Sequence, residues 1–79
     1  GCRATDLNFF VDVADAQWIE CSSKIRYRQK DGPTQFKIEQ GSAQVLFNPQ
    51  QRAVTEGQYV VFYHQQLCLG SGLIESVNT

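Results

Sequence analysis

Apolar and aromatic residues recur at alternate positions in short runs divided by turn formers, a period of two that predicts β-strands; helical spacing is scarce. Residues 7–13 read as a first strand, and residues 18–29 as a long second one that bends near Ser22-Ser23. Asp31-Gly32-Pro33 predicts a turn, because Gly accepts positive φ and Pro cannot donate to a ladder. Phe36 and Ile38 then share one face of residues 34–39, Gln40-Gly41-Ser42 turns, and Ala43, Val45 and Phe47 share one face of a run that Asn48-Pro49 closes. A polar stretch, 50–57, precedes the most apolar strand, 59–63. Across His64-Gln65-Gln66 follow residues 67–69 and 73–77, predicted as a hairpin, with Gly70-Ser71-Gly72 between them marking a bulge or a bend. Residues 13–17 are the only helix candidate and are too short to hold a helix alone.

About six short strands, with no helix to cover a sheet face, predict an all-β fold: a small closed or nearly closed antiparallel β-barrel, with a compact sandwich as the other solution. Phe9, Trp18, Phe36, Phe47 and Phe62 sit in the alternating patterns that a small barrel core needs. The 79 residues allow one domain, 1–79, and leave no core to spare for a buried cofactor cavity. Hydrophobic residues at 42% and charged residues at 19% lie far from the signature of disorder. No apolar run nears the ~20 residues that span a bilayer, and no basic-then-apolar leader opens the chain, so a soluble, untargeted module is expected. The opening Gly1-Cys2-Arg3 and the lack of Met predict a fragment of a larger protein.

Net charge is −1, but its distribution is uneven. Residues 1–20 carry Arg3 against Asp6, Asp12, Asp15 and Glu20, whereas residues 21–37 carry Lys24, Arg26, Arg28, Lys30 and Lys37 against Asp31. At strand period, Lys24, Arg26, Arg28 and Lys30 project from one face while Ile25 and Tyr27 take the other. Neighbouring charges on that ridge fall roughly 6.6 Å apart, a spacing that follows a sugar-phosphate backbone. A solvated strand face whose cations block edge pairing has the same pattern. The lack of interleaved acid favours the anion-binding reading, since surfaces shaped for solubility mix both signs.

Little else carries chemistry. Aromatic content of 11% is absorbed by the expected core, leaving Tyr27, beside the ridge, as a base contact. His64, the single histidine, falls in a predicted hairpin loop. Cys2, Cys21 and Cys68 form no C-x-x-C pair, which fits neither a disulfide framework nor a zinc site and points to a reducing compartment. Cys21 and Cys68 read as small core residues, with no feature in view to lower a thiol pKa. Gly70-Ser71-Gly72 lacks the Lys-Ser/Thr and helix of a phosphate loop. No catalytic residue, metal ligand or cofactor is predicted within the chain itself.

Two motifs carry a family resemblance. Pro49-Gln50-Gln51-Arg52-Ala53-Val54-Thr55-Glu56-Gly57-Gln58-Tyr59-Val60-Val61-Phe62-Tyr63, followed by Cys68-Leu69-Gly70-Ser71-Gly72-Leu73-Ile74, resembles the closing segment of bacterial tRNA-specific 2-thiouridylases. Cys21-Ser22-Ser23-Lys24-Ile25-Arg26-Tyr27-Arg28-Gln29 resembles the same family's upstream C-x-x-K-x-R-Y-R-Q. The departures are Glu56 for a proline, His64-Gln65-Gln66 for an Asp-Gly-type turn, and Ser71 within a glycine run; the second should alter the hairpin geometry. The resemblance implies the C-terminal β-barrel of an enzyme, also carried under an older methyltransferase name, that replaces the C2 oxygen of the wobble uridine with sulfur. It further implies ATP and the catalytic cysteines in the remainder of that enzyme, a cytoplasmic location, and as partners tRNA at its anticodon stem-loop, the catalytic domain and a sulfur-donor protein. Carried over by motif, the tRNA contacts fall on Arg26, Gln58 and Tyr27, in that order, with Lys24, Arg28 and Lys30 as phosphate contacts. The competing expectation is a barrel that packs on the catalytic domain or on a sulfur donor through an exposed apolar patch near Phe9-Phe10 or Tyr59.

Overall fold

The computed structural model describes residues 1–25, 32–47 and 55–77. Six strands, β1 (Cys2–Phe9), β2 (Ile19–Lys24), β3 (Gly32–Glu39), β4 (Ser42–Phe47), β5 (Tyr59–His64) and β6 (Leu67–Val77), close into an antiparallel barrel in the order β1-β4-β3-β2-β5-β6. Closure runs through β1, which pairs with β4 on one side, Cys2 opposite Val45, and with β6 on the other, Cys2 opposite Val77. Among the described residues there is no helix, and hence none long and apolar enough to cross a membrane.

Alternation decides the core. Cys2 and Ala4 of β1, Phe36 and Ile38 of β3, Ala43 and Val45 of β4, Val60 and Phe62 of β5, and Ile74 of β6 point inward and are buried. Phe36 and Phe62 pack with ring centroids 4.5 Å apart, and Phe9 stacks at 5.5 Å from the first and 5.9 Å from the second. Among the described residues, the buried polar side chains are Ser23 and Thr34, and they bond each other. Thr34 Oγ1 donates to the Gly32 carbonyl at 3.0 Å, so the Ser23 hydroxyl is the donor in the 2.5 Å bond to Thr34.

Several boundaries differ from those read off the sequence. The first strand is Cys2–Phe9, not residues 7–13, because Cys2 and Ala4 are small enough to pass for loop residues yet fill the inward positions beside Val45 and Ala43. A register shift between Thr5 and Asn8, with Asp6 at φ 51°, bulges β1 where it wraps the barrel. Ser22 and Ser23 stay in continuous register with Pro33 and Gly32, so β2 does not break there and Gly32-Pro33 opens β3 instead of turning. Residues 26–29 of the expected long strand, Asp31 and Asn48-Pro49 lie outside the described residues.

Residues 67–77 form one strand, not a hairpin. Gly70 and Gly72 are the reason: a Cβ on Gly70 would stand 2.5 Å from the Asn8 carbonyl oxygen, and one on Gly72 would stand 2.8 Å from Leu7 Cδ2. The two glycines let β6 run close under β1 where the barrel closes. The hairpin expected at His64-Gln65-Gln66 is present between β5 and β6: His64 pairs with Leu67 across Gln65-Gln66, and Gln65 takes φ 57°, so the turn stays tight without an Asp-Gly pair. Trp18 is not in the core but 43% exposed, on the outside of the barrel with Lys37 Nζ 5.1 Å from its ring centroid. Phe9 and Phe47 are half-buried against the core.

Candidate nucleic-acid interface

Gln58 sits at the end of the turn that delivers the chain into β5. Gly57, at φ 88°, reverses the chain, and its N–H donates to the Ile74 carbonyl at 2.9 Å. The Ile74 N–H donates back to the Gln58 carbonyl at 2.7 Å, which ties the turn to β6. The Thr55 N–H donates to Gln58 Oε1 at 3.0 Å, while the Gln58 N–H donates to the Thr55 carbonyl at 3.4 Å. The amide oxygen of the side chain is thereby fixed by backbone, and its Nε2 has no partner among the described residues. Gln58 is an oriented donor at the barrel rim.

Lys24 reaches the same rim from the other direction. β2 and β5 are antiparallel, with Ser22 opposite Tyr63, Ser23 opposite Phe62 and Lys24 opposite Val61, so the chain leaves β2 at the end where Gln58 enters β5. Ser23 is anchored inward, which turns Lys24 outward; its Nζ lies 5.7 Å from the centroid of the Tyr63 ring. Ile25 then packs against the core. Of the expected contacts, Lys24 and Gln58 are brought to one end of the barrel, whereas Arg26, Tyr27, Arg28 and Lys30 lie outside the described residues, in the segment that follows Ile25.

Two outward aromatics stand on the strand that Gln58 leads into. Val60 and Phe62 are fully buried, so Tyr59, Val61 and Tyr63 line the outer face of β5, and Tyr59 is 54% exposed. An inward Val-x-Phe places the flanking tyrosines outward, in keeping with the exposed position expected of Tyr59, which the sequence offered as part of an apolar docking patch.

Among the described residues, no three His, Cys, Asp or Glu side chains are placed to hold a metal ion. All three cysteines are free. Burial pushes the Cys2 thiol up to about 11 and the Cys21 thiol up to about 12, well away from the thiolate of a nucleophile. His64 is exposed at the end of β5. At the end of the barrel away from Gln58, an open groove of about 320 Å³ is lined by Val11, Val13, Ile19, Phe36, Leu69 and His64, with Asp12 and Glu20 at its margin. Phe10, 69% exposed, donates its N–H to the Leu69 carbonyl at 2.9 Å, and Leu67, 59% exposed, pairs with His64.

A family model described as "Aminomethyltransferase beta-barrel domain" matches residues 1–74. Proteins named tRNA-specific 2-thiouridylase MnmA are similar: that of Francisella philomiragia is 47% identical over 73 residues, covering 91% of this chain and 20% of the relative. Those of Listeria monocytogenes, 45% identical over 94% of this chain, and Streptococcus agalactiae, 42% identical over 91%, overlap 20% and 19% of the relatives respectively. The chain therefore spans about a fifth of the length of these relatives.

Proposed function

The chain belongs to the aminomethyltransferase β-barrel domain family, and on that premise we propose that it is the tRNA-positioning domain of an enzyme that 2-thiolates the wobble uridine. ATP, persulfide sulfur and the bond-making residues belong on this reading to the remainder of a longer cytoplasmic protein, and residues 1–79 contribute grip. The observation that carries it is the rim: Gln58, with its amide fixed by the Thr55 N–H at 3.0 Å, stands at the barrel end where Lys24 leads into the cationic run Arg26, Arg28 and Lys30. Lys24, Arg26, Arg28 and Lys30 neutralise phosphates, Gln58 Nε2 donates to an RNA acceptor, and Tyr27 adds a contact beside Arg26. Similarity to proteins named tRNA-specific 2-thiouridylase supports tRNA as the nucleic acid.

The test is titration of the chain with a matching tRNA anticodon stem-loop, following backbone amide shifts at about 50 and about 200 mM salt. Salt-sensitive shifts at Lys24, Arg26, Arg28 and Gln58 are expected. In the full-length enzyme, Arg26→Ala lowers tRNA affinity and leaves ATP binding intact; unchanged tRNA affinity would overturn the role given to Arg26.

A second reading rests on a different surface. The groove beside Phe10 and Leu67 offers apolar area to a neighbouring domain or a sulfur-donor protein, at the end of the barrel away from Gln58. The two readings assign the two ends of one barrel to different partners.

A further inference from the structure

A closed barrel has no free strand edge, so a partner reaches it through outward side chains and not by strand addition. On β2, β5 and β6 the register gathers seven outward residues into one surface: Ser22 opposite Tyr63, Lys24 opposite Val61, Val61 opposite Ser71 and Tyr59 opposite Leu73. No acid is among them, one is a cation, two are tyrosines, and the residues beside the β5 side chains include the small Ser22 and Ser71. The small Ser22 stands beside Tyr63 and the small Ser71 beside Val61, whereas Tyr59, beside Leu73, is exposed at the start of β5. Tyr63 is half-buried, with Lys24 Nζ 5.7 Å from its centroid. Tyr59 is 54% exposed, one residue beyond the oriented Gln58 amide, and no ring stacks on it among the described residues.

We propose that this outer face is a base-stacking site for unpaired RNA, in which the Tyr59 ring takes an unpaired base, Gln58 Nε2 donates to an acceptor beside it, and Lys24 meets the adjoining phosphate. The proposal rests on the RNA-docking reading and adds to it the class of RNA recognised, since a stacking ring selects splayed bases over a closed duplex. Every base has a π-face, so Tyr59 supplies affinity for loops without reading their sequence. Burial of the inward neighbour Val60 holds the Tyr59 backbone in register, so the ring is presented from a strand and not from a mobile loop.

The experiment measures affinity of the chain for an anticodon stem-loop RNA and for a fully paired RNA duplex carrying the same stem, at several salt concentrations, with wild type, Tyr59→Ala, Tyr59→Phe and Lys24→Ala. Tyr59→Ala is expected to weaken stem-loop binding about tenfold, with duplex binding and the salt slope unchanged. Tyr59→Phe restores stem-loop affinity, and Lys24→Ala lowers the salt slope by about one. Tyr59 is exposed, so far-UV circular dichroism and the thermal midpoint of Tyr59→Ala should match wild type. Wild type that binds the stem-loop while Tyr59→Ala binds equally well overturns the stacking site alone, as does an equal loss on loop and duplex. Wild type that binds neither RNA at low salt overturns the docking reading and the stacking site with it.

Discussion

In the proposed function Gln58 divides the two ends of one amide between two tasks: the oxygen accepts the Thr55 N–H at 3.0 Å and steadies the turn, and the nitrogen, without a partner among the described residues, meets the RNA. The tasks separate by substitution. Gln58→Glu keeps an acceptor for Thr55 but replaces the donor with a negative charge facing phosphate, so the thermal midpoint should stay near that of wild type while RNA affinity falls about tenfold or more. A parallel loss of fold and affinity in Gln58→Glu would mean that Gln58 serves only the turn. The cysteines behave differently, because burial sets their properties. With thiols raised from 9.0 to about 11 at Cys2 and about 12 at Cys21, the folded state favours the protonated form. That contribution is fully present below pH about 9 and is lost as pH rises through 11 to 12. The urea midpoint should therefore fall above pH about 9, and Cys21→Ala should flatten the decline.

At the scale of elements, the barrel depends on how closely β6 passes β1. Gly70 stands opposite Phe9 on β1 and Phe62 on β5, and a methyl group there would meet the Asn8 carbonyl oxygen at 2.5 Å and Phe9 Cα at 2.7 Å. Backbone cannot move aside as a flexible side chain does. Gly70→Ala is expected to cost about 2–3 kcal/mol, read as a lowered urea midpoint, whereas Gly41→Ala, whose Cβ meets nothing within 4 Å, pays only for φ 81°. Equal effects at the two sites would show that close approach of β1 is not what Gly70 serves. The β2–β3 pair has its own internal tie: the buried Ser23–Thr34 bond fixes the face of β2 from which Lys24 departs outward.

At the scale of the molecule, a net charge of −1 conceals two unlike ends. Asp12 and Glu20 border the apolar groove near Phe10, and Lys24 with Gln58 occupies the rim that leads into the cationic run. In the proposed docking, repulsion of phosphate by Asp12 and Glu20 at one end, and attraction by Lys24 and the cationic run outweighing Glu56 at the other, orient an RNA toward the Gln58 end. On that reading the groove end is the one offered to protein. Phe10→Ser combined with Leu67→Ser should leave stem-loop affinity unchanged while weakening association of the barrel with a separately expressed catalytic domain, measured by calorimetry. Unchanged association would remove protein docking from that end, and a lost stem-loop affinity would show that the two ends are not independent.

The sequence by itself determined the strand class, the inward faces of β3, β4 and β5, and the grouping of cations after Lys24, because each follows from a period of two in residues near one another in the chain. Barrel closure was also within reach, since strands of this number without a covering helix must bury their faces against each other. The two family motifs pointed to Gln58, but not to its geometry. Only the tertiary structure decided that Cys2 and Ala4 belong to a core strand, that Trp18 lies outside, that residues 67–77 continue as one strand, and that Tyr59 shares a surface with Lys24. Each of these depends on a neighbour distant in sequence: β4 and β6 for Cys2, Lys37 for Trp18, β1 for Gly70, and for Tyr59 its β6 partner Leu73 with Lys24 reached across Val61. Local pattern shows which way a side chain faces within its strand; closure of the barrel decides what stands beside it.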